Sequence, residues 1–118
     1  MLVKKITYTD YNDKERTEEF CFHLSKAELS EMEVSAKGGL MHKINTMVEN
    51  EDTEAIFMFF KDLIGKSYGV KSEDGRRFIK SKEITESFYQ TEAYSVLLME
   101  IVSSTDNASA FVNGIIPH

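Results

Sequence analysis

The spacing of apolar residues changes once along this chain, at Leu24-Ser25, and that change constrains the fold more than any other feature. Before it, apolar side chains recur every second residue. In "LVKKITY", Leu2, Lys4, Ile6 and Tyr8 share one face, and in "RTEEFCFHL", Phe20, Phe22 and Leu24 share a face while Glu19, Cys21 and His23 share the other. Between these runs lies "TDYNDKE", residues 9–15, rich in turn formers. The pattern predicts an antiparallel β-hairpin over residues 1–24 with one apolar face. A lone hairpin is marginal in water, so the rest of the chain has to cover that face.

After the change the spacing becomes three and four. "SKAE", Ser25 to Glu28, matches a capping box and opens a helix to about Ala36, which stops at Gly38-Gly39. Its stripe of Leu29, Met32 and Ala36 is thin. A second helix over residues 40–49 carries Leu40, Met41, Ile44, Met47 and Val48. The third starts near Asp52 or Thr53, ends at Tyr68-Gly69, and carries Ile56, Phe59, Phe60, Leu63 and Ile64, which makes it the expected central helix. "VKSEDGRRFIK", residues 70–80, contains Asp74-Gly75 and reads as a short exposed hairpin or loop. A fourth helix near residues 82–88 buries Ile84 and Phe88, and a fifth near 91–103 shows Ala93, Tyr94, Leu97, Leu98, Ile101 and Val102. Asp106 is the expected cap of a last short helix carrying Ala110, Phe111 and Val112. Gly114 falls where a glycine after the helix end belongs, with Pro117, the only proline, as a stop. The predicted fold class is α+β: an N-terminal β-hairpin packed on a small, mainly α-helical bundle, as a single domain over 1–118.

Composition narrows the function. A chain of 118 residues that is 42% hydrophobic and 29% charged builds a core without staples. A net charge of -6 argues against nucleic acid, which needs a basic footprint. Cys21 is the only cysteine, so no intramolecular disulfide forms, as expected of a reducing, cytoplasmic setting. The opening "MLVKKITYTD" has no apolar run behind its lysines and does not read as a signal peptide. The longest apolar run, "AIFMFF" at 55–60, is far short of the ~20 residues of a membrane span.

Chemistry is sparse. Cys21 and His23 share a strand face and in principle form a nucleophile–base pair, but no third group or anion-stabilising loop accompanies them, and an inert cysteine buried as a small hydrophobe is the better reading. No spacing of Cys and His ligands suits a metal, and the many carboxylates fall on helix starts and solvent faces. Gly38-Gly39 is too short for a phosphate loop. The sequence therefore implies no enzyme, no metal and no cofactor.

Surface features are more suggestive. Lys71, Arg76, Arg77, Lys80 and Lys82 form the one basic cluster, either a solvated loop or a docking patch for an acidic partner or subunit. Met32, Met41, Met47, Met58 and Met99 are core filler or the lining of an adaptable groove. The chain closes on "ASAFVNGIIPH", residues 108–118, an apolar hook that either folds back onto the core, the favoured reading, or docks on a partner. Candidate partner-binding residues are Arg76, Arg77, Met58, Phe111, Ile115 and Ile116.

The stretch "KKITYTDYNDKERTEEFCFHLSKAELSEME", with "GGL" (38–40), "YGVKSEDGRRFIKS" (68–81), "QTEAYSVLLMEI" (90–101) and "AFVNGIIP" (110–117), resembles a family of small phage tail assembly chaperones. These occur in long non-contractile-tailed phages and prophages of Gram-positive bacteria. The resemblance spans nearly the whole chain and implies a non-enzymatic role in the host cytoplasm. Such a protein binds the tape measure protein, keeps it soluble and assists tail tube assembly. It self-associates and is absent from the mature virion. In many such phages a frameshift yields a longer second form, which would join the tail tube protein as a further partner. A different reading is a small prophage-encoded regulatory adaptor that binds a host protein.

Overall fold

A computed structural model describes residues 1–117. The elements are β1 (Leu2–Thr9), β2 (Glu15–Phe22), α1 (Lys26–Ser35), α2 (Leu40–Glu49), α3 (Thr53–Ser67), β3 (Tyr68–Lys71), β4 (Phe78–Ile79), α4 (Lys82–Tyr89), α5 (Glu92–Val102) and α6 (Thr105–Ile115).

The expected hairpin forms, with Leu2 opposite Phe22 and Thr9 opposite Glu15. Asp10 organises its turn: the carboxylate accepts from the amides of Asn12 (2.8 Å) and Lys14 (3.0 Å) and from Nε of Arg16 (2.5 Å). One face then points to solvent through Val3, Lys5 and Thr7, and the other buries Ile6, Phe22 and, just beyond the strand, Leu24.

The segment at 70–80 is more than an exposed hairpin. β3 pairs antiparallel with β2, setting Cys21 opposite Gly69 and Phe22 opposite Tyr68, and β4 pairs with β3, giving a four-stranded sheet in the order β1-β2-β3-β4. The cause lies at the end of α3. The buried Ser67 hydroxyl donates back to the Leu63 carbonyl (2.7 Å), and the Ser67 carbonyl accepts from the His23 amide (2.8 Å), so the chain leaves the helix already alongside β2. Gly69 lets the Phe78 ring lie across the strand, since a Cβ there would stand 2.7 Å from Phe78 Cε2.

Helix boundaries follow their caps. Ser25, Asp52, Ser81 and Thr91 each accept from an amide three residues on, and Ser25 completes the capping box with Glu28. The last helix departs from expectation at both ends. Ser104, not Asp106, is its cap, accepting from the Asn107 amide, while Asp106 sits in the first turn, where the helix dipole favours it. Gly114 lies inside α6 rather than after it. A Cβ there would come within 3.0 Å of Leu2 Cδ1, so the glycine serves close approach of α6 to β1 and not termination.

α3 supplies Phe59, Phe60, Leu63 and Ile64 to the core, α5 supplies Ala93, Leu97 and Ile101, and α6 supplies Phe111 and Ile115. The C-terminal hook therefore folds back on its own chain. Ile115 is fully buried and its carbonyl accepts from the Leu24 amide (2.8 Å), while the half-buried Ile116 packs against the core edge. α1 buries no residue completely, as its thin apolar stripe suggested.

Phe111→Ala and Ile115→Ala are each expected to destabilise the protein by about 3–4 kcal/mol, the cost of emptying a large core site. That corresponds to a drop in Tm of roughly 12–16 °C for a chain of this size. Ser104→Ala is expected to cost about 1 kcal/mol through the lost cap. Thermal and urea unfolding check all three, and an unchanged Tm in Phe111→Ala would place that side chain outside the core.

Candidate partner-binding groove

The cysteine–histidine pair does not assemble a reactive site. Cys21 is half-buried on β2, and His23 follows the strand with its ring edge-on to Phe78 (6.3 Å between centroids). Nδ1 of His23 is buried without a hydrogen-bond partner, so nothing orients the ring as a general base needs. Burial pushes its pKa below the ordinary imidazole value, helped by the N-terminal amine and Lys80 and opposed by Glu28. Among the described residues no group of three or more His, Cys, Asp or Glu side chains is placed to hold a metal, and no helix is long and apolar enough to cross a membrane.

The basic cluster divides into two parts. Lys80 is structural: its Nζ donates to the His23 carbonyl (2.8 Å) and to Glu28 Oε2 (2.7 Å), clasping α1 to the end of β2. Burial disfavours the Glu28 carboxylate, but hydrogen bonds from Lys80 and the Ser25 amide outweigh it and hold the pKa below the usual range. Lys71 at the end of β3, Arg76 and Arg77 on the β3–β4 turn and Lys82 at the start of α4 remain exposed. Asp74 shapes that turn by accepting from the Arg76 amide (3.0 Å) and the Ser72 hydroxyl (2.7 Å), which lowers its own pKa. Met58 stands exposed on the outer side of α3. Phe111 and Ile115 are taken up by the core. The six sequence candidates are thus distributed over the molecule and do not meet at one place.

A different set of residues does meet. α2 rests on α3, α6 rests on α5 and β1, and between the two runs an apolar groove of about 410 Å³. One wall is the α2 stripe of Met41, Ile44, Met47 and Val48. The other is the α6 stripe of Ala108 and Val112, flanked by Ser109 and Asn113. Ile56 and Phe60 of α3 and Ile101 and Val102 of α5 line it as well. Met41 and Val48 keep more than half of their surface in solvent, 58% and 52%, although the stripe they belong to reads as a core stripe. Half of the groove was visible in sequence as the α2 periodicity. The α6 half was not, because Val112 reads together with Phe111 and Ile115 as one apolar hook and nothing in the spacing separates the groove-facing residue from the core-facing ones.

These features describe a small α+β protein with an open apolar groove and no assembled catalytic group among the described residues. The whole chain, residues 1–118, matches the phage tail assembly chaperone family, and the protein belongs to that family, which is generally non-enzymatic. No curated protein and no solved structure gives a significant match.

His23 makes a pH prediction. Its folded pKa is depressed, so between that value and its unfolded value of about 6.5 the unfolded chain binds the extra proton. Stability is therefore complete above pH 6.5 and falls as the pH drops through this window. Urea unfolding is expected to show a lower midpoint at pH 5.5 than at pH 7.5 for the wild type, with a smaller drop in His23→Leu. An equal drop in both proteins would assign the effect to groups other than His23.

Proposed function

We propose that this chaperone binds the tape measure protein in the host cytoplasm, keeps it soluble and assists tail tube assembly around it. The groove between α2 and α6 is the acceptor. Family membership supports the assembly role, and the groove is the observation that carries the contact. A ten-residue α2 gives a wall about 15 Å long, enough for three turns of a partner helix. Methionines on that wall adapt to apolar stripes of varied shape, as helix-accepting grooves require. The net charge of -6 keeps the coated partner in solution. Self-association, a longer frameshifted form and the tail tube protein belong to the same proposal, with Arg76 and Arg77 free to meet an acidic neighbour.

Co-expression with the long helical reading frame expected beside this gene tests the reading. Wild-type protein is expected to hold the tape measure protein in the soluble fraction and co-elute with it. Met41→Glu/Val48→Glu, changed at exposed positions, is expected to keep its Tm within a few degrees and lose both effects. Met58→Glu and Arg76→Gln/Arg77→Gln separate the other exposed candidates. Loss of binding in those variants, with the groove variant intact, would move the contact to the outer side of α3 or to the β3–β4 turn.

A further inference from the structure

Among the described residues, Glu51 is the one charged side chain in the groove lining. It occupies the corner between α2 and α3 in a left-handed conformation, φ +50°, where glycine is at ease and a residue with a Cβ is not. The corner itself makes no use of the carboxylate. The Glu51 amide donates to the Val48 carbonyl (3.1 Å), its carbonyl accepts from the Thr53 amide (3.0 Å), and the cap of α3 comes from the Asp52 carboxylate next door (3.1 Å). Among the described residues no ion pair or hydrogen bond holds the Glu51 carboxylate. A neutral helix laid along the groove would strip water from this charge and return nothing, whereas a cation beside the apolar stripe offsets that loss. The C-terminal end of α2 lies at the same corner and adds its negative dipole.

We infer that the groove selects an amphipathic helix whose apolar stripe, at three- and four-residue spacing, is flanked at one end by Lys or Arg, and that this cation pairs with Glu51. The inference rests on the groove reading of the proposed function and adds the chemistry of the occupant. Glu51 fixes which way along the groove the partner helix runs, because only one end carries the charge.

Fluorescence anisotropy with designed peptides of about 18 residues tests it, each with the same leucine stripe and with Lys, Gln or Glu at the flanking positions of one end. The Lys peptide is expected to bind wild-type protein roughly three- to ten-fold more tightly than the Gln peptide, and the Glu peptide least tightly. The gap is expected to shrink at high salt and to vanish in Glu51→Gln. Glu51→Gly is expected to raise the Tm while losing the same preference, a combination that a purely structural corner residue would not give. Equal affinities for all three peptides, or a Lys preference that survives Glu51→Gln, would overturn the assignment while leaving the groove reading in place. Failure of every peptide to bind a protein that still solubilises the tape measure protein would overturn both.

Discussion

Burial of the Phe22 ring is the constraint on which the rest of the structure depends. The ring is fully excluded from solvent and meets Tyr68 (5.5 Å), Phe88 (5.7 Å) and Phe111 (5.7 Å), contributed by β3, α4 and α6. Phe88 in turn stacks on Tyr68 at 4.4 Å and reaches Phe20 at 5.2 Å. Such pairs contribute about 0.5–1.5 kcal/mol each beyond their area. More important is where they come from. A hairpin too small to be stable alone is held by rings from three distant parts of the chain, and those parts are positioned by it. The Leu24 amide bonded to the Ile115 carbonyl closes the same junction, so the C-terminal hook completes the core that the N-terminal hairpin begins.

That arrangement also accounts for the groove. β1, β2 and α3–α6 supply nearly all of the central core, whereas α1 buries no residue fully and α2 only Leu40. α2 has an apolar face too large for the one helix it rests on, so Met41 and Val48 end in solvent while Ile44 and Met47 are half-covered. The unburied face is thus a consequence of how the core is divided and not of a poor sequence for packing.

Periodicity made the hairpin and the helix spans legible, because runs of eight or more residues repeat their pattern often enough to show which face is apolar. β3 and β4, with four and two residues, are too short for alternation to register, and only the exit geometry of Ser67 places them on the sheet. Gly114 was misplaced because a glycine near a helix end looks the same whether it stops the helix or lets a strand come close. The candidate site was less legible still. A stripe such as Met41, Ile44, Met47 and Val48 has one spacing whether it faces a core or a groove, and on the opposite wall Val112 sits one residue from the core-facing Phe111, so the sequence does not separate the two faces. The left-handed backbone of Glu51 leaves no trace in the sequence at all, since the chain places a glutamate where the geometry favours glycine.

On the proposed reading, the small size of the groove shapes the mechanism. Three helical turns offer a few hundred Å² of apolar contact, and at about 25 cal/mol per Å² much of that gain is offset by the cost of association. A single contact is therefore weak and exchanges quickly. A very long helical partner presents many stripes in series, so coverage comes from many copies, each carrying the same net negative charge and each repelling the next coated chain. Weak individual contacts also suit a factor that has to leave. As tube subunits close around the partner they compete with each groove separately, and no single bound copy presents a large barrier to displacement. Glu51 fits this economy of contact: one carboxylate at one end of the groove adds direction to a docking whose apolar part is nearly indifferent to it.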